Sequence, residues 1–192
     1  MCLVFSTSVS SKAIIVLGDS ISAGYGIAVG DGWVSLLQKK LTENKFPHKV
    51  FNESISGDTS AGGLARINRA LARHEPDIVL LELGANDGLR GLSPKQMKAN
   101  LSEIIQRSRQ SGAQVLLLGM RLPPNYGKRF VDMFYDVYPQ LAAELNVAFV
   151  PFLLKDVALE KNLMQRDGLH PNAMAQPDIA ERVWEYLQPL LK

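Results

Sequence analysis

The sequence predicts a three-layer α/β/α sandwich around a five-stranded parallel sheet. Short apolar runs without alternation recur along the chain, as in strands buried on both faces. Apolar stripes at helical spacing lie between them, and a polar, glycine-bearing loop follows each run.

The elements read in order as follows. AIIVLG at residues 13–18 is the first strand, and Trp33, Leu36, Leu37 and Leu41 lie on one face of a first long helix. KVFNE at 49–53 is the second strand, and Leu64, Ile67 and Leu71 mark another helix. DIVLLELG at 77–84 is the third strand. Ser93 followed by Pro94 supplies an N-cap and a first-turn proline for a helix that buries Met97, Leu101, Ile104, Ile105 and Ser108. QVLLLG at 114–119 is the fourth strand, and Val131, Phe134, Tyr135, Tyr138, Ala142 and Leu145 form the next stripe. Residues 147–152 supply the fifth strand, and Ile179, Val183, Leu187 and Leu190 the closing helix. Strand–helix alternation with right-handed crossovers places helices on both faces of the sheet.

Size and composition narrow the function. A chain of 192 residues, 46% hydrophobic, suits one domain, expected over residues 13–192. Residues 1–12 are apolar, then small and polar, and read as an N-terminal arm or the remnant of a signal peptide. That start points to a periplasmic or secreted protein, with a cytoplasmic one as the alternative. The net charge of +2 is dispersed, so no basic groove for nucleic acid is expected. The single cysteine, Cys2, and three histidines, His48, His74 and His170, have no metal-ligand spacing. Neither metal nor cofactor is expected. No apolar run approaches the roughly 20 residues of a membrane span. The expected partner is a small molecule, and the expected state a monomer.

In such sheets ligands bind beyond the carboxyl ends of the strands, so the loops there carry the candidates. Ser20 lies in a Gly-Asp-Ser turn two residues past the first strand, placed as a nucleophile, although Asp19 or Ser20 could equally cap the following helix. A serine hydroxyl needs a base at neutral pH. Asp167 and His170 in DGLHP are spaced so that a carboxylate can orient an imidazole, while Asp-Gly is also ordinary turn chemistry. The Gly57 backbone and the Asn86 side chain could donate to a developing oxyanion, or simply form turns, and Asp87 reads as structural.

Ser, Gly, Asn and His on successive loops resemble the four blocks that name the SGNH, or GDSL-type, hydrolases. The extended motifs GDSISAGYG, SISGDTSAGGLAR, LELGANDGLRG, RLPPNYG and MQRDGLHPN are similar to the members with thioesterase, lysophospholipase and arylesterase activity. The resemblance implies a flavodoxin-like sheet and hydrolysis of acyl esters or thioesters through an acyl-enzyme. It implies Ser20 as nucleophile, Asp167 and His170 as its partners, and an oxyanion hole from the Ser20 and Gly57 amides and the Asn86 side chain. Its carbohydrate O-acetyl esterases are one alternative. A non-catalytic flavodoxin-like binding module is another, opposed by the lack of P-loop or dinucleotide glycine spacing. Leu89, Leu122, Pro123 and Tyr126 are expected to form an apolar substrate wall. Residues 121–130 are expected to act as a stiffened lid with Gly127 as hinge.

Overall fold

A computed structural model describes residues 11–191; Cys2 and most of the expected N-terminal arm lie outside them. Five parallel strands, β1 (Ala13–Gly18), β2 (Lys49–Asn52), β3 (Ile78–Glu82), β4 (Gln114–Leu118) and β5 (Ala148–Val150), form one sheet in the order β2-β1-β3-β4-β5. The three central strands carry almost unbroken apolar runs and are buried on both faces, whereas β2 at the edge is partly exposed.

The chain moves one way from β1 to β2 and the opposite way from β2 to β3. Right-handed crossovers therefore put the intervening helices on opposite faces. On one face α2 (Trp33–Glu43) packs against α7 (Gln176–Leu187); on the other α3 (Ser60–His74) packs against α5 (Pro94–Gln110), and α5 against α6 (Lys128–Leu145). Trp33, Phe134 and Tyr138 are the largest fully buried side chains and fill the space between helices and sheet. Two short helices, α1 (Ser20–Ala23) and α4 (Ala85–Leu89), stand directly beyond β1 and β3. They flank the point where the strand order reverses, the place such sheets bind ligands.

Four strands are shorter than their expected runs, β4 by Gly119 alone. Gly84, at φ 116°, turns the chain out of β3 into α4, a conformation open to glycine, and an added Cβ would lie 2.5 Å from the Tyr138 hydroxyl. Asn52 ends β2 by donating its side-chain amide to the Ser22 carbonyl at 2.8 Å and accepting the Ser54 N–H at 3.1 Å. Val147 stays with the preceding helix through its N–H to the Ala142 carbonyl, 3.1 Å, so β5 begins only at Ala148.

Candidate active site

Ser20 is the first residue of α1. Asp19 caps that helix, accepting the Ile21 N–H at 3.0 Å, so the cap and the serine occupy adjacent positions rather than competing for one. As the first helical residue Ser20 has a backbone N–H without a hydrogen-bond partner among the described residues.

His170 reaches Ser20 from the other end of the chain. Its Nε2 lies 2.9 Å from Ser20 Oγ, and its Nδ1 lies 2.7 Å from Asp167 Oδ2. Asp167 Oδ1 also accepts the backbone N–H groups of Leu169, at 2.9 Å, and His170, at 3.0 Å. Desolvation opposes ionisation of Asp167, but these hydrogen bonds outweigh it and lower its pKa to about 2. Asp167 is thus an anion at any working pH. The associated stability is present above the ordinary value of 3.8 and is lost as pH falls through about 2.

Gln165 locks the histidine loop to the loop after α1. Its N–H donates to the His170 carbonyl at 2.8 Å, and its side-chain amide to the carbonyls of Tyr25, 2.7 Å, and Pro171, 3.1 Å. The Tyr25 ring lies against the imidazole with centroids 4.6 Å apart. Neither contact is visible in the sequence, because each joins segments about 140 residues apart.

Gly57 and Asn86 are brought to the same rim. The Ile55 N–H donates to the Gly18 carbonyl at 3.0 Å, which fastens the Gly57 turn beside the end of β1. Gly57 has φ 81°, its carbonyl accepts Arg90 Nη2 at 2.7 Å, and its N–H has no partner among the described residues. Asn86 Nδ2 donates to the Asp58 carbonyl at 2.9 Å and to Asp19 Oδ2 at 3.1 Å. Both of its amide hydrogens are therefore engaged, so an oxyanion must share one of them. Asp87 accepts the Ser60 N–H at 2.8 Å and hydroxyl at 2.6 Å, pinning the start of α3. Arg66 of α3 spans Asp58, Gly18 and Glu53 and ties the loops after β1 and β2 together.

A cleft of about 1210 Å³ opens from Ser20, Asn86 and His170. Of the four wall residues expected, Leu89, Leu122 and Pro123 line it. Tyr126 does not; the turn Pro124–Tyr126 carries it away, and its hydroxyl donates to the Leu89 carbonyl at 3.3 Å. Within the segment expected as a lid, Gly127 is the N-cap of α6 and residues 128–130 form its first turn, with Lys128 paired to Asp132 at 2.5 Å. Arg121 is held over the Tyr135 ring, 3.8 Å from its centroid. The segment from Arg121 to Pro124 borders the cleft as a short strap leading into α6.

Among the described residues no cluster of three or more His, Cys, Asp or Glu side chains is arranged to hold a metal ion, and no helix is long and apolar enough to cross a membrane. The titratable group sequence reasoning passed over is Glu82, fully buried at the end of β3. A lone acid inside the apolar run DIVLLELG was the available signal.

A profile of the GDSL-like lipase/acylhydrolase family matches residues 16–176. The chain is 50% identical to the esterase TesA of Pseudomonas aeruginosa over 182 residues, covering 95% of this chain and 90% of that one. It is 44% identical to the thioesterase 1/protease 1/lysophospholipase L1 of Escherichia coli K12, covering 95% and 86% of the two chains. The crystal structure of the psychrotrophic esterase EstA from Pseudoalteromonas sp., inhibited by monoethylphosphonate, superposes with a TM-score of 0.90 at 40% identity, covering 94% of this chain and 98% of that one. By sequence and by fold, the chain belongs to the GDSL-like lipase/acylhydrolase family of ester hydrolases.

Proposed function

We propose that this single-domain hydrolase, residues 13–192, cleaves acyl esters and thioesters through an acyl-enzyme on Ser20. The observation that carries the reading is the unbroken relay Ser20 Oγ–His170 Nε2, 2.9 Å, and His170 Nδ1–Asp167 Oδ2, 2.7 Å. Neutral His170 accepts the serine proton as Oγ attacks the acyl carbonyl, and ionised Asp167 stabilises the resulting imidazolium. The oxyanion is received by the Ser20 and Gly57 N–H groups and by Asn86 Nδ2. His170 returns the proton to the leaving alkoxide or thiolate, and water then repeats the sequence to release the acid. Because the base must be neutral, kcat/KM should fall as the medium is acidified and His170 takes up a proton. A flat profile from about pH 5 to 9 contradicts the role given to His170.

The largely apolar cleft supports an acyl chain as the bound group, lying along Leu89, Leu122 and Pro123. The similarity to an esterase and to a thioesterase/lysophospholipase supports fatty esters, acyl thioesters and lysophospholipids as substrates. Each buried methylene contributes about 0.8 kcal/mol. Leu122→Ala should therefore lower kcat/KM for dodecanoyl and longer esters by about one to two powers of ten and spare acetyl and butyryl esters. A chain-length series decides it, and an equal loss at every length refutes the assignment of the wall. The apolar, then small and polar start supports export to the periplasm or medium, which cell fractionation tests. Gel filtration tests the proposed monomer.

A further inference from the structure

Beneath the reacting groups lies a pair of carboxyl side chains that the relay does not use. Glu82 is fully buried and Asp19 is 1% exposed, and among the described residues neither forms an ion pair with a lysine or arginine. Two carboxylates there would repel one another in a poorly screening medium. The hydrogen bonds identify the atom without a partner. Glu82 Oε2 accepts the Asp19 N–H at 3.2 Å and the Ser22 hydroxyl at 2.7 Å, whereas the buried Oε1 accepts nothing. Protonation makes Glu82 a donor, and the adjacent Asp19 carboxyl, with which its side chain interacts, is the neighbouring acceptor. Asp19 in turn accepts Asn86 Nδ2 on Oδ2.

We propose that a neutral Glu82 donates a hydrogen bond to an ionised Asp19, and that Asp19 is thereby a positioning residue that holds the Asn86 amide and sets a negative charge within reach of His170. This rests on the reading of Ser20 and Asn86 given above. Burial raises the pKa of Asp19 to about 6, against the hydrogen bonds from Ile21, Glu82 and Asn86 and the charge of His170. Burial, reinforced by the Asp19 charge, raises Glu82 well above its ordinary value. Burial raises both groups, and Glu82, the deeper of the two and the one opposed by a neighbouring charge, is the favoured holder of the proton. The other ionisable groups that interact with the pair are His170 and the Tyr138 hydroxyl of α6; farther out, Asp87 of α4 acts on Tyr138 and Arg66 of α3 donates to the Gly18 carbonyl.

Infrared spectroscopy and kinetics test the proposal together. The wild-type protein at pH 7 should show the carbonyl stretch of a neutral, hydrogen-bonded carboxyl group, and Glu82→Gln should lack it. Glu82→Ala should lower kcat at least about tenfold with KM nearly unchanged, and Glu82→Gln, which keeps a donor toward Asp19, should recover most of that loss. Asp19→Asn should lower kcat similarly and move the acid limb of kcat/KM to lower pH, because the charge favouring imidazolium is gone. A purely structural role leaves the acid limb unmoved. Absence of the band overturns the shared proton whatever the nucleophile proves to be. A present band with wild-type kcat in Glu82→Ala, or an unmoved acid limb in Asp19→Asn, overturns the link to Asn86 and His170. The infrared result and the Asp19→Asn profile stand even where Glu82→Ala fails to fold. Retained turnover in Ser20→Ala would instead count against the underlying reading and leave the infrared result intact.

Discussion

Ser20→Ala should reduce kcat for any acyl ester by about 10⁴-fold or more, while the unfolding midpoint stays close to that of the parent. The loss is chemical. Ser20 is half-buried at the start of a four-residue helix whose cap is supplied by Asp19, so the hydroxyl contributes little to packing. Its hydrogen-bond partner is the His170 imidazole, which faces the cleft. Without Oγ no acyl-enzyme forms, and only the oxyanion donors and substrate binding remain to accelerate attack by water. Steady-state kinetics beside a thermal melt separates this outcome from misfolding; activity at more than a few per cent of the parent with an intact melt rules Ser20 out.

Asn86→Ala carries the second-largest expected effect, about 10²- to 10³-fold in kcat with KM little altered, the size measured for a single oxyanion donor elsewhere. The structure adds a consequence for stability. Asn86 Nδ2 already serves the Asp58 carbonyl and Asp19 Oδ2, so truncation leaves both acceptors short of a donor and should cost about 1–3 kcal/mol. Kinetics and chemical denaturation on one preparation test both parts. A loss confined to KM would make Asn86 a ground-state binder, and unchanged stability would show that the two contacts are weak.

The sheet was legible because β1, β3 and β4 bury both faces and so carry continuous apolar runs that no other element of that length shows. The strand ends were not, because they are decided by single residues: the positive φ of Gly84, the side-chain bonds of Asn52 and the helix contact of Val147. The positions of Ser20, Asn86 and His170 were legible for a topological reason. In a parallel sheet every strand delivers its following loop to one rim, so candidates far apart in sequence meet there. What the rim residues touch was not legible. Tyr126 sits in the strap motif yet turns from the cleft toward Leu89, since a short turn sets its direction rather than its spacing. The stacking of Tyr25 on His170 and the burial of Glu82 against Asp19 likewise depend on contacts between distant segments.

The central claim is that Ser20 is a nucleophile made reactive by His170, and covalent labelling tests it most directly. Treatment with a fluorophosphonate followed by intact-mass and peptide analysis should show one adduct per chain, located on Ser20, formed rapidly in the parent. The adduct should be absent from Ser20→Ala and form at least about a hundredfold more slowly in His170→Ala, the loss expected when the general base is removed. An adduct on another residue, or equal labelling rates in the parent and His170→Ala, would contradict the account.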